Sequence, residues 1–128
     1  MEKLEYIPGD LVFHYIPKTT IKKYVKVYVC STNNALSLED MDGNLYDYIG
    51  VLYQIPLTPE ILEKNGWKLS HGFYWSPNEE GAEVGLSSQT GYVWNAYMRS
   101  YPLRSGINSV SDLQHLLFGL GINHEMEV

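Results

Sequence analysis

Residues 22–30, KKYVKVYVC, alternate with a period of two: Lys23, Val25, Val27 and Val29 point one way, while Tyr24, Lys26, Tyr28 and Cys30 point the other. Valine at that period fits a pleated, half-buried strand and no helical stripe, so the valine face is expected in a core. Turn signals bracket the runs on either side. Asn33-Asn34 and Asp42-Gly43 flank ALSLEDM, and Asp-Gly is a hairpin cue because it tolerates the positive φ of a type I′ turn. Strands are expected near 10–16, 22–30, 35–40, 44–49 and 51–55, which makes 9–55 a small antiparallel sheet, SH3-like or curled.

The next segment, PLTPEILEKNGW, reads as a short helix over 59–65. Thr58 suits the N-cap and Pro59 the first helical position, where its missing N–H was an orphan anyway. Glu60 lies near the positive end of the helix dipole. Gly66 suits a left-handed C′ position, which makes Trp67 and Leu62 the apolar pair of a Schellman ending. A helix this short does not persist alone, so Ile61, Leu62 and Trp67 must pack on a sheet.

Strand signals return over 71–98 in HGFYWS, EVGLSS and GYVWNAYM, separated by PNEEG and QTG, as a meander of about three strands. YPLRSGINS, with Pro102 and Gly106, reads as a loop. It leads to a helix near 110–119 on a stripe of Val110, Leu113, Leu117 and Leu120 widened by Leu116. Either Ser109 with Asp112 or Ser111 with Gln114 starts it, and Gly119 or Gly121 ends it. The alternation of INHEMEV predicts a closing strand over 122–127. The fold class is therefore α+β, and 1–128 is expected to be a single domain.

Composition narrows the function classes. The chain has 128 residues, 45% apolar and 19% charged, which is ordinary for a folded domain and unlike a disordered one. No apolar run approaches the length of a membrane helix, and MEKLEYIPGD has no apolar segment of signal-peptide type, so the expectation is a cytoplasmic protein with no membrane partner. The single cysteine, Cys30, excludes an internal disulfide. The net charge of −6 disfavours an electrostatic grip on nucleic acid, although five of the nine basic residues (Lys3, Lys18, Lys22, Lys23 and Lys26) precede position 27.

The groups that carry chemistry form no motif. His14, His71, His115 and His124 lack any HExxH or Cys-x-x-Cys context, so no metal ligand is assigned. Glu39-Asp40-Met41-Asp42-Gly43-Asn44 places its glycine too early for a calcium loop, and Val51 stands where the bidentate glutamate belongs. Cys30 fits a small packed hydrophobe better than a nucleophile, and Ser87-Ser88 lies in no GxSxG setting. No catalytic residue and no cofactor is expected. An enzyme would need a histidine and carboxylate site assembled only by the fold.

The compositional oddity is aromatic: eleven tyrosines, three tryptophans and three phenylalanines. Tyrosine and tryptophan join an apolar body to a polar tip and are enriched where surfaces meet partners. The favoured reading is a non-enzymatic protein-interaction module using Tyr74, Trp75, Tyr92, Trp94, Tyr97 and Tyr101. An alternative is a nucleic-acid-binding module using Lys18, Lys22, Lys23 and Lys26 with Tyr24 and Tyr28 for stacking.

PGDLV at the start, PLTPEILEKNGW in the middle and SDLQHLLFGLGINHEMEV at the end resemble a group of small proteins from Bacteroidales genomes and their phages or mobile elements. In that group a GD-strand opening, an IPLTxEILxKNGF-like helix and a terminal LQHLLFxLGI-like helix recur. The resemblance covers most of the chain through three separated anchors, and 68–108 departs from the pattern. It implies a bacterial or phage setting and conformational roles for Thr58, Pro59, Gly66, Trp67 and Leu117. It carries over no catalytic residue, substrate or cofactor.

Overall fold

A computed structural model describes residues 6–30, 36–77, 83–98 and 101–128, without the side chains of Val29 and Cys30. The Asn33-Asn34 turn, most of the PNEEG turn and the packing of Cys30 lie outside the described residues. Among the described residues the architecture is α+β, with two antiparallel sheets and two short helices. The chain divides after Ile55 into two compact units.

The first unit is a five-stranded sheet built from β1 (Leu11–Tyr15), β2 (Lys22–Cys30), β3 (Leu36–Asp40), β4 (Leu45–Tyr48) and β5 (Tyr53–Gln54). Its order is β4-β3-β2-β1-β5, a four-strand meander whose last strand returns to the far side of the first. The alternation read in β2 decides its faces. Val25 and Val27 are buried with Val12 and Leu38 in one core cluster, against which Tyr6, Leu36, Tyr46, Tyr48 and Leu52 pack. Each such aliphatic side chain contributes about 1.5–3 kcal/mol of transfer free energy. A bulge between Val27 and Val29 shifts the β2–β3 register, which adds local twist.

The Asp-Gly cue marks a hairpin, but the turn differs from type I′. Only Gly43 has positive φ, at 86°. The Asp40 N–H donates to the Asn44 carbonyl at 2.9 Å, so Met41, Asp42 and Gly43 form a three-residue loop with glycine in the left-handed place.

The second unit opens with α1 (Pro59–Lys64), whose N-cap Thr58 accepts from the Ile61 N–H at 3.3 Å. Gly66 has φ 84°. The Trp67 N–H donates to the Leu62 carbonyl at 3.0 Å and the Gly66 N–H to the Glu63 carbonyl at 3.1 Å, which is the Schellman ending expected. Leu62 and Trp67 are both buried.

A five-strand meander follows in sequential order: β6 (Lys68–Ser70), β7 (Phe73–Trp75), β8 (Gly85–Ser87), β9 (Trp94–Met98) and β10 (Tyr101–Ile107). Two of these strands correct the expected three-strand meander. β6 is three exposed residues with no apolar alternation to announce it. β10 is the segment that reads as a loop, because Pro102 and Gly106 are turn residues; it is an edge strand, where a missing N–H is tolerated, and its register slips twice around Arg104.

The terminal helix α2 (Val110–Gly119) starts on Ser109, whose hydroxyl accepts from the Asp112 N–H at 3.0 Å. It ends on Gly121 at φ 72°, with Ile122 N–H to the Leu117 carbonyl at 2.9 Å. Its inward stripe is Val110, Leu113, Gln114 and Leu117, whereas Leu120 is exposed. Leu120 is the C-cap, one residue beyond the last helical position.

The closing strand expected over 122–127 does not form. Side chains hold that segment instead of a ladder. Asn65 Nδ2 donates to the Glu127 carbonyl at 2.8 Å and its Oδ1 accepts from the Glu127 N–H at 2.7 Å, a pairing that imitates a backbone partner. Lys64 Nζ donates to the Val128 carbonyl at 2.8 Å and Gln114 Nε2 to the His124 carbonyl at 3.0 Å. Met126 is buried.

Candidate binding surfaces

The six aromatics selected from the meander fall in three places. Tyr74 and Trp94 point into the second unit's core, their rings edge to face at 5.8 Å. Both satisfy their polar tips: the Tyr74 hydroxyl donates to Glu63 Oε2 at 2.8 Å, and Trp94 Nε1 donates to the Leu57 carbonyl at 3.0 Å. The bond to Glu63 raises the Tyr74 pKa, with burial adding to it.

Trp75 and Tyr97 share the opposite face, half-buried and joined through Phe73 at 5.5 and 5.6 Å. Gly85 makes room for the indole: a Cβ there would stand 2.8 Å from the Trp75 ring. Tyr92 and Tyr101 are the exposed pair, each at 75%. They lie at opposite ends of β9, since Tyr92 precedes Trp94 and Tyr101 pairs with Met98, a separation of roughly 20 Å along a strand.

The lysine and tyrosine set is also divided. Lys23 lies on the inner side, 3.9 Å from the Asp40 carboxylate and 4.6 Å above the Tyr46 ring. Lys22, Tyr24 and Lys26 share the outward face of β2, as alternation requires. Lys18 sits in the β1–β2 turn with φ 64°, and Tyr28 is exposed at the bulge.

Strand pairing adds to Tyr24 three rings that the sequence reading did not select. Phe13 on β1 pairs with Tyr24 on β2 and with Tyr53 on β5. Phe13 is buried beneath Tyr53 (stacked, 5.3 Å), Tyr15 (edge to face, 5.7 Å) and Tyr24 (tilted, 5.8 Å), and Tyr15 meets Tyr53 at 5.2 Å. Tyr15, Tyr24 and Tyr53 are 37, 38 and 41% exposed. The Lys22 ammonium stands 4.9 Å above the Phe13 ring, a cation–π placement. The alternation of LVFHY carries a signal for Phe13 and Tyr15; the β1–β5 pairing that adds Tyr53 does not appear in local pattern.

The histidines are dispersed. His14 is buried, stacked on Tyr48 at 4.3 Å. Its Nδ1 lies 3.0 Å from the Tyr15 carbonyl, which only an N–H can serve, and its Nε2 is hydrogen-bonded with the Tyr46 hydroxyl at 2.6 Å. Burial raises the Tyr46 pKa, and the Asp40 charge adds to it. His71 occupies a turn with φ 52°, His115 flanks α2 and the His124 ring packs on Phe118.

Among the described residues no three His, Cys, Asp or Glu side chains converge to hold a metal ion. A cavity of about 620 Å³ beside Trp75, lined also by Lys68, Ser76, Pro77 and Glu83, is open and of mixed polar and apolar lining. No helix of the described residues is long and apolar enough to cross a membrane. No protein-family profile, curated protein or solved structure matches the chain.

Proposed function

We propose that the protein is a non-enzymatic binding module and that it engages its ligand through the outward aromatic face of β1, β2 and β5. One observation carries this reading: Tyr15, Tyr24 and Tyr53, each about two-fifths exposed, are packed around a single buried Phe13. Rings held by their neighbours lose little freedom on binding, so the platform is organised before a ligand arrives. Tyrosine also offers large contact area with only two side-chain torsions to fix. An accessory role in a bacterial or phage mobile element, the setting that the resemblance implies, is compatible with such a module.

A second reading keeps the second unit's meander as a protein-interaction surface, favoured by the exposure of Tyr92 and Tyr101. The two readings separate by substitution. Immobilised wild-type protein is compared with Tyr24→Ala/Tyr53→Ala and with Tyr92→Ala/Tyr101→Ala, and material captured from a bacterial lysate is digested with nuclease or protease to class it. The first pair is expected to lose capture while still showing a cooperative melting transition above the assay temperature. Capture that survives the first pair and is lost with the second moves the site to the meander.

A further inference from the structure

On the reading that this face is the binding surface, we infer that its ligand is a single-stranded nucleic acid. The β1–β2 hairpin and the run beyond it, residues 11–38, hold four of the nine basic residues and none of the fifteen acidic ones. In a chain of net charge −6 that segment is a local reversal of sign. Three of the four lysines are on the platform side or at the hairpin tip. Lys22 and Lys26 flank Tyr24 on β2, about 7 Å apart at each step of two residues, and Lys18 is exposed in the turn. None of Lys18, Lys22 and Lys26 is ion-paired to a described carboxylate, whereas Lys23, on the other face, is. The one carboxylate placed opposite this row is Glu39, across from Lys26.

The surface therefore presents two chemistries in alternation: ring faces and fixed positive charge. An unpaired polynucleotide carries the complements of both on every residue, a π-face and a phosphate. A duplex hides its base faces in its own stack, and an acidic peptide supplies charge without regular rings. Sequence preference is not expected, because stacking accepts every base. The negative remainder of the chain repels a polyanion at long range, so binding belongs to this face and weakens steeply with salt.

Fluorescence anisotropy with end-labelled oligo(dT), oligo(rU) and a blunt duplex tests the inference on the full chain. Saturable binding of both single strands at low salt is expected, with a log–log salt slope of about −2 for three phosphate contacts. Tyr24→Ala or Tyr53→Ala should weaken it about tenfold, and Tyr24→Phe should restore it. Lys22→Ala/Lys26→Ala should flatten the salt slope while the protein stays folded at the assay temperature. Binding that is indifferent to Tyr24→Ala/Tyr53→Ala, or equal for the duplex, overturns the inference. No binding of either single strand overturns it as well; if lysate capture nevertheless depends on the same tyrosines, the binding-module reading stands and the ligand is of another class.

Discussion

The two sheets differ in whether aromatic rings fill the centre of the core. In the first unit the fully buried centre is aliphatic, Val12, Val25, Val27 and Leu38, with Tyr6, Tyr46 and Tyr48 partly buried against it, while Tyr15, Tyr24 and Tyr53 lie on the other face around Phe13. In the second, Tyr74 and Trp94 are inside, their hydroxyl and indole N–H bound to Glu63 and the Leu57 carbonyl. A buried aromatic with its polar tip satisfied fills core volume, whereas an exposed one adds little to folding and is available to a ligand. A surplus of tyrosine in a sequence therefore points to a binding face only after pairing has assigned each ring to a side.

The largest effect that tests this contrast is Trp94→Ala against Tyr53→Ala. Removing the buried indole should cost about 3–5 kcal/mol, because the cavity it leaves cannot fully collapse. Removing Tyr53, which is two-fifths exposed and meets Phe13 and Tyr15, should cost about 1–3 kcal/mol, the scale of two aromatic pairs. Urea denaturation of each variant measures both. Equal losses would place the Tyr53 platform in the fold's core energetics and break the comparison.

Much of the fold was legible because its cues are local. Thr58, Pro59 and Gly66 announce α1 through rules that act within one turn, and each serves the role its position implies. The valines of β2 announce their buried face through period alone. The failures are where distant partners decide. β10 contains the loop-forming Pro102 and Gly106 and becomes a strand only because β9 offers it an edge. The alternating 122–128 segment finds no strand beside it and is held by Asn65, Lys64 and Gln114. The aromatic platform was missed for the same reason: it joins three strands, and Tyr53 stands 40 positions from Phe13 in sequence.

A smaller effect sharpens the part read from local cues. Gly66→Val should destabilise the protein by about 1–2 kcal/mol, the cost of holding a side-chain-bearing residue in the left-handed region. Space is not the cause, since a Cβ at Gly66 would make ordinary contact with Pro77 at 3.5 Å. Urea midpoints again give the measurement. An unchanged midpoint would mean that the Schellman ending of α1 adds nothing to stability.

The smallest expected effects are pH-dependent, and they carry opposite signs in the two units. In the first, the Asn44 N–H holds the Asp40 carboxyl below its ordinary 3.8, with the Asn44 side chain, the Asp42 N–H and Lys23 acting in the same direction against a partial desolvation. A carboxyl depressed by folding stabilises above its unfolded pKa and loses that contribution as pH falls through the folded value. In the second unit the bond to Glu63 raises Tyr74 above its ordinary 10.0. A phenol raised by folding stabilises below its unfolded pKa and loses that contribution as pH rises through the folded value. The stability difference between wild type and Asp40→Asn should therefore be flat from neutral pH down to about 4 and shrink in stronger acid. The difference between wild type and Tyr74→Phe should be flat up to about pH 10 and shrink beyond it. Urea midpoints across pH for the three proteins give both curves; a Tyr74→Phe difference that grows with alkali would mean that the hydroxyl does not donate to Glu63 in the folded protein.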